Sequence, residues 1–305
     1  MNLFVVIVTY NPKKWINECF RSLQNSTIPL KTIVVDNCST DGSQVIIKEC
    51  FPEVDFIASG KNLGFGKANN IGIKKAYDAG ADYVFLLNQD AWIEEKTLEK
   101  LIEVTKLNPQ YGIISPIHLN GAGTKLDKNF SNYIKQNDDL FFDALQHKFL
   151  KSIYEVPFIN AAAWMLPRKT LENIGGFDPI FHHYAEDENY CQRVLFHGLK
   201  IGVVPEAYIF HDREFRKPTV VNDIKDKLVL KERYLKSKWA NINVEVREEI
   251  KTNNKDLLKL IVKLFLKLEF KKANLYRGEL TLLNKIVPEI ERSRELNSKK
   301  GKHYL

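Results

Sequence analysis

The chain has 305 residues, of which 44% are hydrophobic and 27% charged, so it is long enough to bury the core of a full soluble domain. No stretch reaches ~18 uninterrupted apolar residues, and the apolar start Met1–Tyr10 lacks the basic lead and cleavage site of a signal peptide. We therefore expect a cytoplasmic protein without a spanning helix. Its cysteines form no CxxC pair and are expected to be reduced thiols: Cys19, Cys38, Cys50 and Cys191.

The formal net charge of +7 is unevenly distributed. Residues 1–214 contain 22 Lys and Arg against 26 Asp and Glu, whereas residues 215–305 contain 23 against 12. This asymmetry predicts a catalytic domain over 1–214 and a basic, helical region over 215–305.

The first half of the chain alternates short apolar runs with helical segments. A glycine-rich loop, Ser59–Gly66, precedes a helix that is expected to end near Ala79. The expected strands are Leu3–Thr9, Thr32–Asp36, Val54–Ala58 and Tyr83–Leu87. Strands that alternate with helices predict an α/β fold with a mostly parallel sheet covered on both faces.

The next part of the chain is less regular. We expect loops at Gly121–Gly123 and Asn129–Asp139, followed by a strand at Ile159–Leu166. A helix is predicted over Glu186–His197, and a bent strand or strand pair over Ile201–Phe210 around Pro205.

The basic region contains lysines at every fourth position, from Lys255 to Lys271, among leucines and isoleucines. At ~100° per residue this spacing places the lysines on one broad helical face. Two interpretations remain open for this amphipathic helix. It docks on its own domain with the lysines outward, or it lies on an anionic membrane surface through residues 255–272.

Polar residues follow the expected strands where an α/β sheet presents its ligand-binding side chains. Thr9, Tyr10 and Asn11 follow the first strand, and Asp36 with Asn37 follows the second. An aspartate there can accept hydrogen bonds from a pyrimidine imide or a ribose hydroxyl. The loop after the third strand continues into Lys67 and Asn69, and Lys67 is placed to meet a phosphate.

Acidic residues and a histidine complete the set. Asn88-Gln89-Asp90 follows the fourth strand and offers one carboxylate, which is the ligand type that Mg²⁺ and Mn²⁺ prefer beside substrate phosphates. Glu186-Asp187 opens a helix and can supply a general base. His211 ends the last strand as a candidate metal ligand. Arg193 is a candidate partner for an acid or a diphosphate.

Taken in order, these segments resemble family 2 glycosyltransferases of the GT-A fold over residues 2–215. The resemblance lies in VVIVTYN, IVVDNCSTDGS, NLGFGKANNIGI, YVFLLNQD, GGFD with AEDENYCQRVLFHG, and the final FH. The NLGFGKANN and LLNQD segments are similar to the rhamnosyltransferase-like branch of that family.

The resemblance implies an inverting, metal-dependent transfer from a nucleoside-diphosphate sugar. The branch favours dTDP-rhamnose as donor, and UDP-hexoses and a furanose donor stay open. Thr9, Asn11 and Asp36 would bind the nucleoside, while Asp90 and His211 would hold Mn²⁺ or Mg²⁺. Asp187 would be the base, with Glu186 beside it. The acceptor would be a glycan or lipid-linked hydroxyl in cell-surface polysaccharide synthesis, at the inner face of the cytoplasmic membrane.

The chain departs from the family where Asn88 replaces the first acid of the DxD motif. This departure supports an alternative, a catalytically degenerate nucleotide-sugar-binding or scaffold protein. A nucleotidyltransferase is disfavoured because no glycine follows the first strand in Tyr10–Lys14. Nucleic-acid binding is disfavoured because the basic region offers no aromatic stacking platform.

Overall fold

The computed structural model describes residues 1–213 and 224–305 of the chain. The chain forms two compact units, Met1–Arg216 with Lys300–Leu305, and Lys217–Lys299. The sequence placed all of 215–305 in one region, whereas its last six residues pack with the first unit.

The first unit is built on one mixed sheet. Its strands are β1 (Leu3–Thr9), β2 (Lys31–Asp36), β3 (Asp55–Ala58), β4 (Tyr83–Asn88), β5 (Ala91–Ile93), β6 (Tyr111–Asn120), β7 (Tyr154–Glu155), β8 (Ala163–Pro167) and β9 (Lys200–His211). Their order is β3-β2-β1-β4-β8-β6-β9-β5, and β7 pairs with β9. The part formed by β3-β2-β1-β4 is parallel throughout, as the alternation of strands and helices predicts.

Helices cover both faces of this sheet. In the first unit they are α1 (Ile16–Gln24), α2 (Ser43–Cys50), α3 (Phe65–Asp78), α4 (Thr97–Leu107), α5 (Phe130–Ile134), α6 (Asp138–Leu145), α7 (Arg168–Ile174) and α8 (Glu186–Phe196). Alternate residues of β1 point to opposite faces, so Val6 joins the core under α3 while Ile7 joins the core under α1. Gly72 of α3 allows the helix to approach closely, because a Cβ there would lie 2.4 Å from a methyl carbon of Val6.

The parallel register aligns the carboxyl ends of three strands. Thr9 pairs with Asp36, and Val8 pairs with Asn88. The polar residues that follow β1, β2 and β4 are therefore brought to one edge of the sheet.

The predicted loop at Asn129–Asp139 was wrong, because this range contains α5 and the start of α6. Tyr111–Asn120, for which no element was predicted, is a ten-residue strand. The strand could not be recognised from a hydrophobic pattern, because its buried positions include Ser115, Pro116 and His118. Residues 201–210 belong to the single strand β9, whose register against β6 shifts where Pro205 lies.

The second unit contains α9 (Ile224–Trp239), α10 (Arg247–Leu266) and α11 (Phe270–Asn297). The lysine-rich helix ends earlier than predicted, because α10 stops at Leu266 and Leu268 takes a left-handed conformation, φ 60°. Lys271 therefore belongs to α11. In the described ranges, no helix combines the length and apolarity needed to cross a bilayer.

Candidate functional site

A cleft of about 750 Å³ lies at the carboxyl edge of the parallel strands. One wall comes from Tyr10 after β1, Asn37 after β2 and Asn88–Asp90 after β4. The opposite wall contains Glu186 and Asp187 at the start of α8. The structure thus brings together residues that are far apart in sequence and that the sequence analysis had assigned to a single site.

Thr9 and Asp36 lie beneath this wall rather than on it. Asp36 is fully buried, and its oxygens accept hydrogen bonds from the Thr9 hydroxyl at 2.8 Å, the Ser39 amide at 2.9 Å and the Gln44 side chain at 2.7 Å. The Ser39 hydroxyl donates as well. Asp36 therefore orders the loop between β2 and α2 and has no surface at the cleft.

Tyr10 and Asn11 are held by side-chain contacts to their neighbours. Gln89 accepts from the Tyr10 amide at 2.6 Å and donates to the Tyr10 carbonyl at 3.1 Å. Asn11 has φ 51° and accepts a hydrogen bond from the Thr40 amide at 2.8 Å. Gln89 thus fixes the backbone from which the half-exposed Tyr10 ring extends.

The glycine-rich loop reaches the cleft through Gly64. Asn37 donates to the Gly64 carbonyl at 3.1 Å and accepts from the Leu63 amide at 3.2 Å. Gly64 has φ 82°, and a Cβ there would lie 1.9 Å from the His182 carbonyl oxygen. Only glycine fits this junction between the loop and the segment that precedes α8.

Three further predicted residues do not come to the cleft. Lys67 is exposed on α3 and does not line it. The Asn69 side chain instead donates to the Phe65 carbonyl at 3.0 Å within the same helix. Arg193 is buried and donates to the Ile174 and Gly176 carbonyls at 3.1 and 2.5 Å, so it is part of the core.

Asp187 combines cleft access with partial burial. Burial raises the pKa of its carboxyl above the usual value, although the amides of Glu188 and Ala161 donate to it and act in the opposite direction. Tyr184 and Ala185, just before the helix, have φ 68° and 70°. Two consecutive non-glycine residues in this conformation store backbone strain at the entrance of α8. A raised pKa makes Asp187 a stronger proton acceptor when ionised.

Asp90 and His211 are adjacent, with 3.4 Å between Oδ1 and Nε2. His211 is buried, and neither ring nitrogen has a hydrogen-bond partner within the described residues. In the same part of the chain, no three His, Cys, Asp or Glu side chains are grouped to hold a metal ion. The pair offers one carboxylate oxygen and one imidazole nitrogen, which are donor types that divalent metal ions accept.

The sequence analysis missed several residues of the cleft. Arg213, Tyr133 and Asn160 line it, as does the exposed His182. Arg213 forms an ion pair with the buried Asp127, 86 residues away. Burial raises the pKa of Tyr133 to about 12, so this phenol stays protonated at neutral pH. No local sequence pattern marks these residues, because each reaches the cleft only through the way distant segments fold together.

The chain belongs to glycosyl transferase family 2, whose family model matches residues 4–175. The mixed sheet with its parallel part and covering helices is the GT-A fold of this family. The rhamnosyltransferase-like resemblance is likewise confirmed by curated relatives.

These relatives are similar over about two thirds of the chain. The dTDP-rhamnosyl transferase RfbF of Shigella flexneri is 26% identical over 224 residues, which are 69% of this chain and 69% of that protein. The N-acetylglucosaminyl-diphospho-decaprenol L-rhamnosyltransferase of Mycobacterium tuberculosis is 25% identical over 68% of this chain and 75% of its own. The rhamnosyltransferase WbbL of Escherichia coli (strain K12) is 24% identical over 68% and 83%.

Among solved structures, the fold is similar to residues 1–349 of Staphylococcus aureus TarS in complex with UDP-GlcNAc. The TM-score is 0.57 at 17% identity, covering 98% of this chain and 88% of that one. This similarity supports the fold.

Proposed function

We propose that this protein transfers a sugar, rhamnose or a related hexose, from a dTDP- or UDP-sugar to a hydroxyl of a glycan or lipid-linked acceptor in cell-surface polysaccharide synthesis. The observation that carries the proposal is Asp187, a partly buried carboxylate with a raised pKa in the same cleft as Asn88–Asp90. The names of two relatives support the choice of donor and acceptor. One is a dTDP-rhamnosyl transferase, and the other is an L-rhamnosyltransferase whose name includes a diphospho-decaprenol.

The nucleoside end of the donor is assigned to the wall formed by Tyr10 and Asn37. Tyr10 offers a half-exposed ring on which a base can stack, and the hydrogen bonds of Gln89 fix its backbone. Thr9, Asn11 and Asp36 act through the loop that they order rather than by direct contact. This arrangement presents a preformed surface and lowers the entropic cost of binding.

The diphosphate end is assigned to Asn88, Gln89 and Asp90. A bound Mg²⁺ or Mn²⁺ would be held by Asp90 and His211 and would supply charge neutralisation for the departing diphosphate. Asn88 offers a neutral carbonyl in place of a second carboxylate, so the protein contributes less negative charge to the metal than a DxD motif does.

Asp187 removes the proton from the acceptor hydroxyl. The acceptor oxygen forms a bond to the anomeric carbon while the bond from that carbon to the diphosphate oxygen breaks, and the proton remains on the Asp187 carboxylate. Attack opposite the leaving group inverts the anomeric centre, and no covalent intermediate with the protein is required. Glu186, buried beside Asp187, adds negative charge that favours the sugar's developing positive charge.

The basic second unit is assigned to an anionic membrane surface, which would bring the cleft to a lipid-linked acceptor. One row of apolar residues on α10, including Leu257 and Ile261, is buried in the unit. A second row, roughly 100° around the helix, is exposed to 49% at Leu258, 58% at Val262 and 81% at Leu266. Lys259, Lys263 and Lys267 flank this second row. Exposed apolar residues beside lysines match the interface of an anionic bilayer.

The test is calorimetric binding of UDP, dTDP, GDP and CMP, each with Mn²⁺ and with EDTA. We expect dTDP or UDP to bind, more tightly with the metal, and the other nucleotides to bind weakly. Failure of all four to bind would contradict the donor assignment, and binding independent of the metal would remove Asp90 and His211 from it.

A further inference from the structure

Among the described residues that line the cleft, Arg213 is the one lysine or arginine. The same lining contains the carboxylates of Asp90, Glu186 and Asp187. A nucleoside diphosphate would add further negative charge to this set. Coulomb repulsion from the carboxylates opposes the binding of a diphosphate. Arg213 can offset this repulsion if its guanidinium has donors that are directed into the cleft.

Arg213 is held in a two-point ion pair. Its Nε lies 2.7 Å from Asp127 Oδ2 and its Nη2 lies 2.5 Å from Asp127 Oδ1. The third nitrogen of the guanidinium, Nη1, donates no hydrogen bond to the described part of the chain. Asp127 therefore orients the Arg213 guanidinium through Nε and Nη2, while the N–H groups of Nη1 can donate to a ligand.

Asp127 is itself fixed by the backbone. Its Oδ1 accepts from the amides of Asn129 and Phe130, both at 3.0 Å, at the start of α5. Its Oδ2 also lies 3.8 Å from Nδ1 of His211, so one carboxylate borders both Arg213 and His211.

We propose that Arg213 binds the diphosphate of the donor and that Asp127 is the positioning residue that orients Arg213 for it. This inference rests on the proposed function and adds a residue pair that the strand-end motifs do not contain. A planar guanidinium matches phosphate oxygens in a bidentate manner, and the existing ion pair has already restricted its rotamers. With Asn88 in place of an acid, the cleft relies on this cation to a greater degree.

The same contact acts during the reaction. When the bond between the anomeric carbon and the diphosphate oxygen breaks, negative charge accumulates on the leaving group. Donors that are already aimed at that group stabilise it without reorganisation. Loss of Arg213 is therefore expected to lower both donor affinity and turnover.

The experiment compares Arg213→Gln with wild type by calorimetry, using UDP or dTDP and the matching nucleoside as probes, with EDTA and with Mn²⁺. Hydrogen bonds to charged groups contribute about 1.5–3 kcal/mol, which corresponds to a roughly 10- to 150-fold loss of diphosphate affinity. Nucleoside affinity is expected to remain unchanged. Lys74→Gln removes one exposed charge outside the cleft and serves as the control.

Asp127→Asn tests the positioning role. It keeps Arg213 but removes the ionised partner, so we expect a smaller loss of diphosphate affinity, with Asp127→Glu restoring part of it. Thermal unfolding of each variant checks the fold. Equal diphosphate affinity in Arg213→Gln and wild type would overturn this inference alone. Absence of nucleotide binding by wild type would instead contradict the proposed function.

Discussion

At the scale of single residues, Asp187, the proposed base, shows the effect of burying a carboxylate. Desolvation raises its pKa, and backbone hydrogen bonds, including those from the amides of Glu188 and Ala161, act in the opposite direction. As a base it must be ionised, so the rate depends on the fraction that has lost its proton.

We expect the fall of kcat/KM at acid pH to follow the protonation of the Asp187 carboxylate. Activity should fall as the pH drops through a pKa above the ordinary aspartate value of 3.8. The measurement is the pH dependence of transfer to a fixed acceptor. A rate that stays constant down to pH 4 would show that Asp187 is not the group that titrates.

Asp187 should also reduce stability at neutral pH. A carboxyl whose pKa is raised by folding binds its proton more tightly in the native state, so its ionised form destabilises the fold above that pKa. Asp187→Asn is therefore expected to raise Tm at pH 7, and the difference should shrink as the pH falls towards the unfolded-state pKa. Glu103→Gln, at an exposed position of α4, is the control and should leave Tm nearly unchanged.

At the scale of elements, the turn between α7 and α8 is held by the segment Lys300–Leu305. The Gly176 amide donates to the His303 carbonyl at 2.8 Å, and the Gly301 amide donates to the Asn173 carbonyl at 2.9 Å. The buried Arg193 lies over the Tyr304 ring at 5.5 Å. The segment thus supports the polypeptide that leads into Asp187.

Substitutions of Gly175 test this support. Gly175 has φ 78°, and a Cβ there would lie 2.0 Å from the His303 carbonyl oxygen. Gly80 has φ 80° with no atom near its Cβ position, so Gly80→Ala measures the conformational penalty alone. That penalty is about 1–2 kcal/mol.

We expect Gly175→Ala to lower the free energy of unfolding by more than Gly80→Ala does, as measured by denaturant titration. Deleting residues 300–305 should remove most of the difference between the two substitutions, because the clash partner is gone. Equal effects of both alanines in the full chain would contradict the proposed contact.

Elements with strong local patterns were predictable from sequence, and elements defined by long-range contacts were not. β1 matches Leu3–Thr9 because a continuous apolar run is typical of a strand buried on both faces. β6 was missed because Pro116 and His118 interrupt such a run, although both are buried. In the site, Asp90 follows the end of a recognisable strand, and Asp187 lies at the start of a recognisable helix. The pairing of Asp127 with Arg213 depends on how distant segments fold together.

At the scale of the whole molecule, the excess of Lys and Arg in residues 215–305 predicts that this region contacts an anionic surface. We expect the protein to bind vesicles that contain phosphatidylserine more tightly than neutral ones. Changing Lys255, Lys259 and Lys263 together to Gln should weaken that binding by roughly 100-fold, at about 1 kcal/mol for each lysine near an anionic surface. Vesicle sedimentation at fixed ionic strength measures it.

The matched control replaces three exposed lysines of the first unit, Lys96, Lys106 and Lys169, with Gln. It removes the same net charge and should leave vesicle binding nearly unchanged. Equal losses in both triple variants would mean that overall charge, rather than the exposed face of α10, carries the interaction.

We propose Asp187 as the base of the sugar transfer. The most direct measurement compares turnover by wild type and by Asp187→Asn at saturating donor, together with the affinity of each for the nucleotide. We predict that turnover falls by roughly 10²- to 10⁴-fold while nucleotide affinity stays within about threefold. Unchanged turnover in Asp187→Asn would contradict the mechanism.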